Sequence, residues 1–326
     1  MFVNIIAIMT GFALLVWGAD KFVNGAAAIA QNIGVSPLLI GLTIVGLGTS
    51  APEILVAAMA SLQGNPGLAI GNALGSNIAN IALILGATVI VAPLTVHSHT
   101  LHREYPVLLL VTLVAAGLML DQGLYTIDGI VLLAFLAAVL YWLIRLGRQR
   151  RVAYDPLVRE IENELPEPMP TKAAVFWFAV GLIVLLGSSR LLVWGAVNIA
   201  TAFGVSDLII GLTIVAIGTS LPELAASIAS ALKNEHDIAI GNIIGSNIYN
   251  LLAVLSIPGL LAPGPFDTEV VLRDLPIMIG LTIALFFMGY SFKCDTARIN
   301  RPEGFVMLAA FIAYQGWLFI DATGIR

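Results

Sequence analysis

The sequence predicts an all-α integral membrane protein with about ten transmembrane helices in two inverted five-helix repeats. Of 326 residues, 59% are hydrophobic and only 11% charged, with a mean hydropathy of +0.97, far from the composition of a soluble domain. Apolar windows of about 20 residues, the length that spans hydrocarbon, follow one another with short breaks. Two polar words recur 170 positions apart: GLTIVGLGTSAPE, ending on Glu53, returns as GLTIVAIGTSLPE, ending on Glu223, and IGNALGSNIAN from Ile70 returns as IGNIIGSNIYN from Ile240. The alternation of lipid-facing strands is absent, so helices rather than a barrel are expected.

The first apolar window starts near Asn4. It lacks the basic flank of a signal peptide, and its counterpart at 191–202 lies mid-chain, so it is read as a helix. The second, from Pro37, carries Glu53, and the third, from Gly67, carries the first asparagine-rich word. The fourth opens at Arg103-Glu104-Tyr105-Pro106, and the fifth starts near Ile127, at Asp128-Gly129. A hydrophilic stretch runs on to about Thr171, and five further windows begin near Ala173, Ser206, Ile238, Leu275 and Glu303. Arg273-Asp274-Leu275-Pro276 answers the opening of the fourth window and, with a small insertion, Glu303-Gly304 answers that of the fifth. The expected domains are residues 1–145, a first repeat; 146–171, a linker; and 172–326, a second repeat.

Five crossings are an odd number, so the second copy enters the bilayer from the opposite side, an arrangement that places a substrate site near the midplane. Arg145, Arg148, Arg150 and Arg151 put the linker in the cytoplasm by the positive-inside rule. By parity Arg103, Lys233, Lys293, Arg298 and Arg301 fall inside, Arg273 and Arg326 outside, and both termini outside. The expected location is the plasma (inner) membrane of a bacterium. Cys294, the only cysteine, excludes an internal disulfide and a cysteine-rich metal site.

A carboxylate at mid-membrane costs about 2.5–3.5 kcal/mol even on insertion scales, so Glu53 and Glu223 imply cations that offset them. Pro52 and Pro222 remove backbone donors and free the carbonyls of Gly48 and Gly218, which predicts broken helices with bare carbonyls lining a cavity. Thr49 and Ser50, with Thr219 and Ser220, lie within a turn of the glutamates. Asn72, Ser76 and Asn80, and again Asn242, Ser246 and Asn250, form polar stripes, while Gly71, Gly75, Gly241 and Gly245 form small surfaces for close helix approach. With no His or Cys nearby, the oxygens suit hard cations such as Ca2+ rather than zinc or copper. Two carboxylates balance one Ca2+ or two Na+, and an empty site crosses the membrane at high cost, which favours exchange over leak.

These words resemble the two alpha repeats of the sodium/calcium exchanger family, within the cation/calcium antiporter superfamily: GTSAPE with GNALGSNIAN, and GTSLPE with GNIIGSNIYN. The resemblance implies ten helices, outside termini, and alternating access in which the first and sixth helices slide across an ion-holding core. It further implies exchange of several Na+ for one Ca2+ with net charge movement. Carried over, the ligands are Thr49, Ser50, Glu53, Ser76 and Asn80, with Thr219, Ser220, Glu223, Ser246 and Asn250, plus a backbone carbonyl from Gly46 or Ala216. Asn250 stands where many relatives have Asp, so no K+ requirement is expected, and the linker is too short for the regulatory Ca2+-binding domain of eukaryotic relatives.

The expected function is therefore Na+/Ca2+ antiport with no prosthetic group, the transported Ca2+ and Na+ and the bilayer as partners, no nucleic acid and no enzymatic activity. A Ca2+/H+ exchanger of the same fold is the alternative, and a cation channel a remote one, since one chain supplies both halves of the site in opposed orientation. Asn77 and Asn247 are read as bracing residues; Asp20, Lys21 and Arg190 as helix-end charges that snorkel or pair with neighbours. His97, His99 and His102 are read as solvated loop residues, and Glu160, Glu162, Glu164 and Glu167 as a solvated linker face.

Overall fold

The computed structural model of the chain describes residues 1–33, 46–96, 99–147, 169–289 and 297–323. The apolar windows form helices α1 (Phe2–Asn32), α2 (Gly46–Thr49), α3 (Ala51–Leu62), α4 (Pro66–Val91), α5 (His99–Leu118) and α6 (Thr126–Gly147). The second half gives α7 (Thr171–Phe203), α8 (Asp207–Thr219), α9 (Leu221–Leu232), α10 (His236–Leu261), α11 (Val270–Met288) and α12 (Arg301–Thr323). Among the described residues, seven helices are long and apolar enough to cross a membrane, and the α8–α9 pair, bent by 41°, makes an eighth. Shorter apolar helices, Ala51–Leu62 and Glu104–Leu118, stand where the second and fourth crossings are expected. The start of the second, from Pro37, lies outside the described residues, as do His97, the acidic run and most of the linker. His99 and His102 belong to the first turns of α5 rather than to a loop.

The sequence pattern decides which helices sit in the middle. Within their apolar windows, α4 and α10 are 78% buried, against 22–33% for α1, α6, α7 and α12. The two central helices carry the asparagine and serine stripes, which hydrocarbon cannot satisfy, while the outer ones expose a largely apolar surface. Close approach of α4 to α8 depends on glycine: a Cβ at Gly75 would stand 2.7 Å from that of Ala216, and one at Gly211 would stand 2.5 Å from the Leu68 carbonyl. The expected equivalent on α10 is looser, since a Cβ at Gly245 meets nothing nearer among the described residues than its own helix's Tyr249 ring, at 4.0 Å.

Outside this core, α1 and α7 run against each other along a glycine seam. Gly11 abuts Leu192, Gly18 abuts Val184 and Leu185, and a Cβ at Gly25 would lie 2.5 Å from the Phe178 amide. Phe22 stacks on Phe178 with ring centroids 4.9 Å apart. Lys21 pairs with Asp20 at 2.9 Å and lies 5.6 Å from the Trp177 ring centroid, so these charges pair with a neighbour as expected. The two repeats are not equally covered. α7 packs along α3, whose Ala51 is 8% exposed, whereas Leu221, at the equivalent position of α9, is 44% exposed.

Matching details recur at the two ends of the helical body. Strand β1 (Leu94–Val96) pairs antiparallel with β4 (Ala297–Ile299), and β2 (Gly123–Leu124) pairs antiparallel with β3 (Gly264–Pro265). Asp128 accepts from the Tyr125 amide, and Glu303 from the Asn300 amide, so both α6 and α12 start with a carboxylate reaching back three residues. A Cβ at Gly129 would stand 2.8 Å from the Ser256 carbonyl, and one at Gly304 2.8 Å from the Gly86 carbonyl. These are equivalent contacts in the two halves. Arg301 donates to the Ile90 carbonyl at 3.1 Å, capping α4 where its dipole is negative.

Arg273 departs from expectation. Rather than lying in an outside loop it is 4% exposed, and it donates to both Asp274 oxygens (2.8 and 3.1 Å) and to Asp321 (2.6 Å). The Tyr314 hydroxyl donates to Asp274 at 2.9 Å, so the cluster fastens α11 to α12. Removing one member of a buried ion pair strands the other charge at about 3–5 kcal/mol. Arg273→Met is therefore expected to lower the thermal unfolding temperature in detergent, with Arg273→Met/Asp274→Met recovering much of the loss.

Candidate cation site

Each glutamate sits just after a one-residue break. Ser50 (φ −84°, ψ 3°) separates α2 from α3, and Ser220 (φ −87°, ψ 5°) separates α8 from α9. The chain re-enters helix at once, with proline in the first turn, where its missing N–H costs nothing. The Ile54 amide donates to the Ser50 carbonyl at 3.0 Å and the Leu224 amide to the Ser220 carbonyl at 3.1 Å. The expected break is thus a compact kink, which keeps Thr49 and Thr219 one helical turn from Glu53 and Glu223. Both glutamates lie in the first turn of their helices, where the dipole favours a carboxylate. α1 covers both breaks, Val23 packing on Gly48 and Phe12 on Gly218.

The asparagine stripes sit beside a second irregularity. α4 widens to a π-helix over Ala79–Leu85 and α10 over Asn250–Val254, where the Leu255 amide donates to the Asn250 carbonyl at 2.9 Å. Such a turn re-aims side chains without ending the helix. Asn80, second in its widened turn, and Asn250, first in its own, thus occupy equivalent places.

The candidate residues of both halves interleave. Thr49 Oγ1 lies 3.5 Å from Ser246 Oγ; Thr219 Oγ1 donates to Asn72 Oδ1 at 3.2 Å; Asn80 Nδ2 donates to Asn247 Oδ1 at 3.2 Å. Asn72 also donates to the Glu53 carbonyl at 3.2 Å, so one amide joins the first break to the second. Thr219 and Ser220 lie against the Glu53 carboxylate, and the Glu223 carboxylate is close enough to repel it. All ten candidates are buried except the half-buried Thr49.

What distinguishes the cluster is how little of it is satisfied. Eight oxygens of the candidate residues are buried without a hydrogen-bond partner: both of Glu53, Oε2 of Glu223, the hydroxyls of Ser50, Ser76 and Ser220, and Oδ1 of Asn80 and Asn250. An orphaned buried polar atom costs about 1–3 kcal/mol, more when charged, so such a concentration is arranged for something positive. Among the described residues no group of three or more His, Cys, Asp or Glu comes together, which leaves neutral oxygens around two carboxylates. That donor set suits a hard cation.

Other polar residues brace the cluster. Asn77 donates to Met278 Sδ at 3.7 Å, and Asn242 donates to Ser227 Oγ at 3.3 Å rather than copying the role of Asn72. Neither partner carries a sequence signal. A cavity of about 380 Å³ opens by the β2–β3 bridge, lined in part by Gly67, Asp207, Phe266 and Asp267 but by none of the ten candidates. Burial, with Glu269 and Asp207 nearby, pushes the Asp267 carboxyl above its ordinary range against the opposing pull of Arg273.

A family profile described as "Sodium/calcium exchanger protein" matches residues 3–145 and 173–320. This chain belongs to the sodium/calcium exchanger family. Among its relatives, a protein of Alkalimonas amylolytica named "Putative antiporter CaxA" is 50% identical over 98% of this chain and 99% of its own length. The sodium/calcium exchanger MaX1 of Methanosarcina acetivorans is 30% identical over 97% and 99%. The solved sodium-calcium exchanger NCX_Mj, soaked with Na+ and Sr2+, superposes with a TM-score of 0.65 at 34% identity, covering 96% of this chain and 97% of its own. The family is one of exchangers, and this member is a multi-pass membrane protein, as its composition predicts.

Asn72 offers a direct check on the bridge between the breaks in this exchanger. Asn72→Ala leaves the Glu53 carbonyl without its donor and Thr219 without this acceptor, at about 1–3 kcal/mol. A lower unfolding temperature is expected, together with weaker protection by added Ca2+ in the same thermal assay.

Proposed function

We propose that this chain is a Na+/Ca2+ antiporter that works by alternating access, with Glu53 and Glu223 at the centre of a midplane site. The reading rests on eight unpartnered oxygens from both halves of the chain, three of them on the two buried carboxylates and five on neighbouring hydroxyls and amides. Thr49, Ser50, Ser76 and Asn80, with Thr219, Ser220, Ser246 and Asn250, complete the ligand set. Residues 1–145 and 172–326 act as two five-helix units of opposite orientation joined by a cytoplasmic linker, with both termini outside the plasma membrane. The equivalent capping carboxylates and glycine contacts of α6 and α12 support that duplication.

Each step of the cycle follows from electrostatics. An outward-open site takes cations from water; closure strips their hydration, and protein oxygens replace it. An empty site holds two uncompensated charges in a dry interior and resists closure, so crossing requires a load and one cation species returns in place of the other. The unequal cover of α3 and α9 supports alternating access, because the flank beside one glutamate is sealed by α7 while its equivalent is exposed. The glycine seam gives α1 and α7 backbones that touch with few side chains interlocked.

The test is flux in liposomes. Protein reconstituted in Na+-loaded vesicles and diluted into Na+-free buffer is expected to take up radiolabelled Ca2+, whereas choline-loaded vesicles do not. Glu53→Gln and Glu223→Gln are each expected to lower uptake at least 100-fold while keeping the wild-type elution profile. Uptake driven by a pH gradient and indifferent to Na+ would replace this reading with Ca2+/H+ exchange; wild-type flux in both variants would remove the glutamates from the mechanism.

A further inference from the structure

We propose that the open cavity beside the β2–β3 bridge is a binding site for a small organic dication, an alkane chain carrying an ammonium group at each end. The inference is independent of the antiport reading, because none of the ten candidate ligands lines this cavity.

The cavity measures about 380 Å³, within the range of sites that hold a small molecule. It lies where α4 and α8 start and α10 ends, bordered by the loop that follows α10. That loop is held in place. The Phe266 amide donates to the Gln122 carbonyl and the Thr268 hydroxyl to Gln122 Oε1, both at 3.0 Å, beside the pairing of Gly123–Leu124 with Gly264–Pro265. The pocket is therefore formed before any ligand arrives. Its walls include the carbon side chains of Ile70, Leu124, Leu208 and Phe266, and none of its lining residues is basic.

Two carboxylates, Asp207 and Asp267, join these apolar walls, and both Glu269 and Asp207 repel the Asp267 carboxylate. Asp207 accepts from the Leu208 amide at 3.0 Å in the first turn of α8, where the helix dipole favours its ionised form. Arg273 attracts Asp267, but its guanidinium is committed to Asp274 and Asp321. Neither Asp207 nor Asp267 forms an ion pair among the described residues. The uncompensated charge calls for a cation, and the arrangement decides its kind. Asp207, Asp267 and Glu269 do not converge as a metal-holding group, and carbon walls supply few of the roughly six to eight oxygens that Ca2+ takes. A diamine instead brings one charge to each lining carboxylate and lays its methylene chain on the walls, so that charge pairing and apolar burial act together.

The test is calorimetric titration of the full chain in detergent with cadaverine, in choline buffer free of Na+ and Ca2+ at mildly alkaline pH, where carboxylates are ionised. Saturable binding of one cadaverine per chain is expected. Pentylamine keeps the carbon chain and loses one ammonium, and it is expected to bind about fivefold more weakly, the effect of one exposed ion pair. Asp207→Asn and Asp267→Asn are each expected to weaken cadaverine binding by a similar factor; should Asp207→Asn, at a helix start, fail to fold, the loop variant Asp267→Asn decides. Glu53→Gln is expected to bind cadaverine as the wild type does. Loss of binding in Glu53→Gln would place the amine in the midplane site and overturn the proposal. No saturation at millimolar cadaverine, equal binding of pentylamine, or wild-type affinity in Asp267→Asn would each overturn it as well, and so would displacement by equimolar Ca2+, which would make the acids a metal site. The readout is binding rather than flux, so its failure leaves the antiport reading as it stands.

Discussion

Two carboxylates buried among neutral oxygens are the constraint on which the rest of this molecule depends. Neither has a basic partner among the described residues, and they repel each other. The backbone offers each the positive end of a short helix, created by a one-residue break at Ser50 or Ser220 and a restart with proline in the first turn. The neighbours offer neutral oxygens, and placing those oxygens decides the rest. Helices α4 and α10 must be central because their polar stripes cannot face lipid, and each stripe ends on an asparagine, Asn80 or Asn250, within a π-turn. Glycines 71, 75 and 211 let the helices come near enough for Thr219 to reach Asn72.

Around that centre the protein separates rigid connections from smooth ones. The ends of the helical body are pinned by two short β-bridges, by Arg301 on the end of α4 and by the buried Arg273 cluster. The α1–α7 seam makes contact of another kind, backbone against backbone at several glycines. Ridge-and-groove packing would register those two helices at discrete offsets; a seam lined by glycine has shallow ridges and holds its register weakly.

The membrane class, the duplicated words and the ten candidate residues were all legible in the sequence, because each rests on a local rule: apolar run length, repeat spacing, or a polar residue where hydrocarbon penalises it. Contacts between distant segments were not. Arg273 reads as an outside charge because the positive-inside rule weighs position and ignores partners, and its partner Asp321 lies 48 residues away. Asn72 shows as one polar position in a stripe; that it spans both breaks depends on two helices meeting, which spacing does not encode. The prolines suggested broken helices, and the breaks observed are single-residue kinks, since proline in a first turn initiates a helix as readily as it ends one. The repeat also implied like roles for Asn72 and Asn242, yet the second bonds Ser227, whose counterpart Ala57 has no hydroxyl.

The interleaving of the two halves bears on how the chain is made. Asn72 needs Thr219, Asn80 needs Asn247, and Thr49 approaches Ser246, so the first half completes its polar interior only with residues from the second. Ribosomes add about 5–20 residues per second, and these partners trail one another by 147–197 positions. For about 7–40 s of each synthesis, then, the nascent first half holds an unpaired carboxylate and several unsatisfied amides. It is during those seconds, before the second half arrives, that substitutions in the polar core first exact their cost.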